Sequence, residues 1–217
     1  MISKSVAVIG SGIVGETLSN GFLKYGCTVT RASRDPSKLA EWLEKHDATK
    51  ASTATPEEAS KKSDIIVLAV AGGAADAALE VCGLENLKGK VIIDTTNPIG
   101  GPPDDGVLTF FAGVKDSLME KLQDKVPEGK FVKAFSCVGN QHMIDPAFDG
   151  TKPTMFICGN DADAKMEVTE ILDTFGWETE DMGSVKAARA IEPLCQLWCI
   201  PLFSGSKGDY AFKLLKK

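Results

Sequence analysis

The stretch Val6-Ala7-Val8-Ile9-Gly10-Ser11-Gly12-Ile13-Val14-Gly15 carries the strongest structural signal in the chain. The short apolar run from Ser5 to Ile9 suits a buried strand or a helix fragment. It ends in three glycines at G-x-G-x-x-G spacing, and a helical pattern follows with Leu18, Phe22 and Leu23 on one face. In a dinucleotide site each glycine meets a different steric demand. Gly10 makes the tight turn, Gly12 lets the backbone approach a pyrophosphate, and Gly15 lets helix and strand pack closely. The helix that begins there offers unpaired N–H groups and a positive dipole end. Surface loops produce the same spacing by chance. The strand before it, the helix after it and a further strand beyond Gly26 are what make it a dinucleotide signal.

The second strand, Cys27 to Ala32, is expected to end beside the adenosine ribose. An NAD site usually presents an acid about 20 residues beyond the glycine loop. This chain offers Arg31-Ala32-Ser33-Arg34 instead, and two guanidiniums with a hydroxyl suit the 2′-phosphate of NADP. Asp35 reads better as the N-cap of a segment opened by Pro36, which puts Lys38 in the first turn, within reach of the same phosphate. A solvated basic face of Arg31, Arg34 and Lys38 is the competing reading.

With 24 basic and 30 acidic side chains in 217 residues, the chain carries a net charge of -6, which argues against a nucleic-acid-binding surface. The longest apolar stretch, Ile65 to Val81, is interrupted by Asp76 and Glu80 and is no membrane span. The first strand starts too near Met1 for a leader, and six scattered cysteines without a C-x-x-C pair suit the reducing cytoplasm. Cys195 and Cys199 lie one helical turn apart, as a redox pair or as small core residues.

Strand and helix signals then alternate. Thr55-Pro56-Glu57-Glu58 starts a helix with a capping box, Asp64 to Val70 and Lys90 to Asp94 read as buried strands, and Ala74 to Val81 reads as a short helix. A helix from Ser117 to Leu122, strands Lys130 to Phe135 and Thr154 to Cys158, a helix Asp161 to Phe175 and a short strand near Glu178 follow. Ser184 to Phe203 is mainly helical, interrupted by Pro193 and Pro201. This order predicts a Rossmann-type, doubly wound α/β fold with a mostly parallel sheet and a C-terminal helical extension. One domain is expected, its dinucleotide-binding core at about 1–150 and its extension at about 151–217 adding strands to the same sheet.

Ligands of such sheets bind beyond the carboxyl ends of the strands. Val70-Ala71-Gly72-Gly73, Thr95-Thr96-Asn97-Pro98 and Ser136-Cys137-Val138-Gly139-Asn140 therefore qualify as site loops. Small residues after Val70 let a flat cofactor lie against the backbone, and Asn97 suits either a nicotinamide contact or an Asn-Pro turn. His142 is a proton-donor candidate or incidental; His46 reads as an exposed helix end. No catalytic triad or metal cluster is legible, which fits hydride transfer between two bound cofactors and leaves no residue assigned as catalytic.

Several of these motifs together resemble the coenzyme F420-dependent NADP oxidoreductases, a family that includes the reductase domain of the STEAP metalloreductases. They are the Gly10 to Gly15 turn, Ser33-Arg34-x-x-x-Lys38, Asn97-Pro98, Lys133-Ala134-Phe135 with Val138-Gly139, Cys158-Gly159-Asn160-Asp161, and Ala187-Ala188-Arg189-Ala190-Ile191-Glu192-Pro193-Leu194. The resemblance implies hydride transfer between NADPH and a small-molecule acceptor, coenzyme F420 (a deazaflavin) or FAD/FMN. It implies that Ser11, Gly12, Ile13, Val14, Ser33, Arg34 and Lys38 hold NADP, and that the apolar C-terminal helix (Leu194, Leu197, Trp198, Leu202) forms a homodimer interface or part of the core. The loop Gly100 to Asp105 and the pair Ser136-Cys137 depart from the family pattern at the acceptor end. The alternatives are an NADP(H)-binding sensor without turnover, and a 3-hydroxyacid or imine-type dehydrogenase, which normally needs a long helical domain after the core.

Overall fold

A computed structural model of the protein describes residues 4–217. Residues 1–3, on which the expectation of a missing leader partly rests, lie outside the described residues. Six strands form one parallel sheet: β1 (Ser5–Ile9), β2 (Thr28–Ala32), β3 (Ala51–Ala54), β4 (Ile65–Leu68), β5 (Val91–Asp94) and β6 (Lys130–Lys133). Their order is β3-β2-β1-β4-β5-β6, so the winding reverses between β1 and β4. Crossovers in such a sheet are right-handed, so the reversal sends helices to opposite faces and leaves a crevice at the carboxyl ends of β1 and β4.

Alternation along each strand splits the core into two layers. Val6, Val8, Ile65, Val67 and Ile93 pack against Leu18 and Phe22 of α1 (Ile13–Lys24) and against Val168, Ile171 and Leu172 of α6 (Ala162–Thr174). Ala7, Ile9, Ile66, Leu68 and Ile92 face the opposite way. There they meet Ala59 of α3 (Pro56–Lys62), Ala75 and Leu79 of α4 (Ala75–Cys82), and Leu118, Met119 and Leu122 of α5 (Leu118–Lys125). Burial on both faces is why these strands read as continuous apolar runs.

The caps follow local chemistry. Thr55 and Glu58 complete the reciprocal capping box of α3, and Ser117 and Asp161 cap α5 and α6 by accepting from Glu120 N–H and Ala164 N–H. Asp35 caps a 3₁₀ turn, Pro36–Leu39, which precedes the short α2 (Ala40–Glu44).

Two expectations need correction. The strands after residue 150, β7 (Thr154–Ile157) and β8 (Glu178–Asp181), do not extend the main sheet; they pair with each other, joined to β6 by a single antiparallel bridge between Lys133 and Cys158. The chain between β6 and β7 holds only a 3₁₀ turn, Asn140–His142, and no crossover helix of the kind that lays parallel strands side by side. Pro193 does divide the last helical segment into α7 (Ala188–Ile191) and α8 (Pro193–Phe203), but Pro201 is accommodated in the last turn of α8. Among the described residues no helix is long and apolar enough to cross a membrane.

Candidate functional site

The carboxyl ends of β1, β2 and β4 enclose a cleft of about 370 Å³. Gly10, Ser11 and Gly12 form one wall, Ser33, Arg34, Asp35 and Lys38 a second, and Val70 and Ala71 a third. Ala74, Ala77 and Val81 of the α4 segment close an apolar side. Ile13 and Val14 sit on the first turn of α1 and Asn97 beyond β5; none of these three lines the cleft.

The glycines divide their work as their spacing suggests. Gly10 has φ +141°, and a Cβ there would stand 2.1 Å from the Ala69 carbonyl oxygen. A Cβ at Gly15 would stand 2.6 Å from the Gly10 carbonyl oxygen, so the strand and the helix touch at that point. At Gly12, which lines the cleft, a Cβ would meet nothing within 4 Å.

The cations at the end of β2 have different surroundings. Arg34 and Lys38 are exposed and line the cleft beside half-buried Ser33. Asp35 is engaged locally: its Oδ1 accepts from Ser37 Oγ at 2.6 Å and from Ser37 N–H at 3.2 Å, which holds its carboxyl below the usual range. Arg31 is not free to grip a 2′-phosphate, contrary to expectation. Its side chain is 2% exposed and turns beneath the glycine loop, donating to the Ser11 and Gly12 carbonyls. His46 also departs from expectation: it is half-buried, with Nδ1 2.7 Å from the Trp42 carbonyl and its ring against the Trp42 ring.

Beyond β5 and β6 lies a second constellation that residue types alone did not reveal. Lys133 is fully buried, its Nζ 2.7 Å from Asp94 Oδ2, 3.0 Å from Glu192 Oε1 and 2.8 Å from the Thr96 carbonyl. Burial alone would depress this ammonium, but the two carboxylates more than offset it and its pKa is raised. Glu192 also accepts the Leu118 and Met119 N–H groups at the start of α5, where the helix dipole favours a negative charge. The side-chain amide of Asn97 donates to the Ser136 carbonyl at 2.7 Å, and Gly72 lets the Asn97 carbonyl come close enough that a Cβ would be 1.9 Å from it. Phe135, buried between β6 and this loop, has φ +60°, a left-handed conformation costly for an aromatic residue. It stands two residues beyond the end of β6 and directly before Ser136, whose carbonyl accepts from Asn97. The sequence signal for the ion triad is the placement of Asp94, Lys133 and Glu192 in otherwise apolar runs.

His142 rests against Phe148 with ring centroids 4.9 Å apart, and its Nε2 is 3.7 Å from Asp209. Cys195 is buried on α8 one turn before half-buried Cys199, and the two thiols interact so that the Cys199 pKa is lowered and that of Cys195 raised.

A parallel sheet in this order, with a glycine loop at its switch point, defines a Rossmann-type α/β protein. Residues 5–98 match the family described as NADP oxidoreductase, coenzyme F420-dependent. A crystal structure from Arthrobacter sp. FB24, assigned to the F420-dependent NADP-reductases, superposes with a TM-score of 0.91 at 30% identity, covering 99% of this chain and 100% of that one. The chain belongs to this family of NADP oxidoreductases. It is 22% identical over 191 residues to the F420-dependent NADP reductase of Methanocaldococcus jannaschii, covering 87% of this chain and 85% of that protein. It is 28% identical over 201 residues to the metalloreductase STEAP3 of Rattus norvegicus, covering 90% of this chain but spanning 38% of that protein.

Proposed function

We propose that the protein passes a hydride between NADP(H) and a deazaflavin or flavin acceptor, with the cofactor held in the cleft at the ends of β1, β2 and β4. The observation that carries this reading is one cleft lined both by Gly12, where there is open space, and by Ser33, Arg34 and Lys38. A cradle that any side chain would fill, sharing a cleft with two exposed cations and a hydroxyl, fits a pyrophosphate at one end and a 2′-phosphate at the other.

In this reading Gly10, Ser11, Gly12, Ile13 and Val14 bind through backbone at the start of α1, and Ser33, Arg34 and Lys38 hold the 2′-phosphate. Val70 and Ala71 keep the cofactor against the chain, and Asn97 orients the loop on which the nicotinamide end rests. The nicotinamide, when bound, supplies or receives the hydride. The family and the F420-dependent relatives support a deazaflavin as acceptor, with FMN and FAD as the related alternatives. A homodimer belongs to the same proposal: Leu197, Leu202 and Phe203 of α8 are exposed, while Trp198 packs inward.

Oxidation of NADPH, followed by its absorbance with coenzyme F420, FMN and FAD offered in turn, tests the proposal. Turnover with one of these acceptors is expected. Tight NADPH binding without turnover on any of them would favour a sensor instead.

A further inference from the structure

The guanidinium of Arg31 is buried directly beneath the glycine loop of the proposed cofactor site. Its Nη2 donates to the Ser11 carbonyl at 3.0 Å and to the Gly12 carbonyl at 3.0 Å, and Nη1 donates to Glu16 Oε2 at 3.3 Å. The group stands 5.5 Å over the Trp42 ring, and Trp42 is fixed by its own bond to Asn20 at 2.8 Å. A charge taken out of water costs several kcal/mol unless its partners are well placed. Here the partners are two consecutive carbonyls of the phosphate-facing loop.

Peptide geometry carries this arrangement through to the cleft. In a trans peptide the C=O and the following N–H point in opposite directions. Holding the Ser11 and Gly12 carbonyls down against Arg31 therefore aims the Gly12 and Ile13 N–H groups up and away from it. Those amides open α1 and have no carbonyl four residues back within the helix to bond. Arg31 also pairs Glu16, the one acid in the first turn of α1, whose charge would otherwise oppose an anion at that helix end.

We infer that Arg31 is a positioning residue for the pyrophosphate of the dinucleotide, fixing the Ser11–Gly12 peptides from beneath rather than touching the ligand. The inference rests on the proposed NADP(H) reading. Arg34 and Arg31 then divide the cofactor: Arg34 discriminates NADP from NAD at the 2′-phosphate, and Arg31 serves what the two dinucleotides share.

Calorimetric titration of the wild type, Arg31→Gln and Arg31→Lys with NADPH, NADH and 2′-AMP tests this, because 2′-AMP carries the 2′-phosphate and no pyrophosphate. Arg31→Gln is expected to weaken NADPH and NADH by the same factor, about tenfold or more on the scale of a lost charged hydrogen bond, with 2′-AMP affinity unchanged. Arg31→Lys is expected to show the same pattern with a smaller loss, since an ammonium keeps the charge but lacks the planar fork; it carries the test alone if the glutamine variant does not fold. Loss of NADPH binding alone would assign Arg31 to the 2′-phosphate and overturn the inference. So would unchanged dinucleotide affinity, full recovery in Arg31→Lys, or a parallel loss of 2′-AMP, the mark of general disruption. A wild type that binds none of the three ligands would instead sink the functional reading, and this inference with it.

Discussion

Arg31 and Arg34 lie three residues apart and meet opposite fates, one buried under the glycine loop and one exposed at the cleft. The pleat explains it. Arg31 shares a strand face with Val29, which is buried, whereas Arg34 has left the strand. Reading the two arginines as one phosphate-facing pair overlooked that alternation, and the Trp42 ring that receives the guanidinium, eleven positions on, leaves no local signal. The glycines were readable, because G-x-G-x-x-G spacing encodes three different steric demands. Gly12→Val should leave the unfolding midpoint nearly unchanged and abolish measurable NADPH binding. Gly15→Ala should lower stability by roughly 1–3 kcal/mol, the cost of overpacking a closed contact, as read by urea denaturation. The thiols differ in the same local way. Cys199 is half-buried with its pKa lowered by the Cys195 thiol, whereas burial pushes Cys137 and Cys158 up to about 12. The thiolate is the nucleophile, so limited iodoacetamide treatment followed by peptide mass mapping should find Cys199 modified ahead of Cys137 and Cys158.

Among the elements, α5 and α7 are stapled by Arg189, whose Nε and Nη2 donate to the two Glu120 oxygens at 2.8 and 2.6 Å. The Arg189 bond holds the Glu120 carboxyl below its ordinary range. A carboxylate depressed in the folded state contributes stability above its unfolded pKa, near 4.3, and loses that contribution as pH falls through the folded value. The wild type should therefore lose stability relative to Glu120→Gln as the pH drops below about 4, a difference that urea midpoints at pH 7 and in acid would register. Element order and the caps of α3, α5 and α6 follow from Thr55-Pro56-Glu57-Glu58, Ser117 and Asp161, which are local signals. The pairing of β7 with β8 depends on where the chain travels after Phe135, and no local pattern carries that information. Short β3 (Ala51–Ala54), with two alanines, a serine and a threonine, lacks the apolar run that marks its neighbours.

Across the whole molecule, the Asp94–Lys133–Glu192 triad joins the main sheet, the Thr96 carbonyl and the C-terminal helices in one buried network. Lys133→Met would strand two buried carboxylates without a counter-charge, and removal of one partner from such a network typically costs about 3–5 kcal/mol. The unfolding midpoint in urea should fall accordingly, with loss of the α7–α8 packing. The same network ties the loop bearing Asn97 to the C-terminal extension, so the placement of that loop depends on residues far along the chain. The glycine-loop end was legible early because its determinants are contiguous; the ion triad was not, because Asp94, Lys133 and Glu192 meet only in the fold. The roles proposed for Ser33, Arg34 and Lys38, and the family's cofactor chemistry with them, depend on which dinucleotide the cleft holds. Titration of the protein with NADPH and NADH, following nicotinamide fluorescence, with and without Arg34→Ala, decides that. Tighter binding of NADPH, by on the order of tenfold or more for a charged hydrogen-bond set, and loss of that preference in the variant are the predicted results. Equal or tighter binding of NADH by the wild type would contradict the 2′-phosphate site and place Asp35, rather than Arg34, against the ribose.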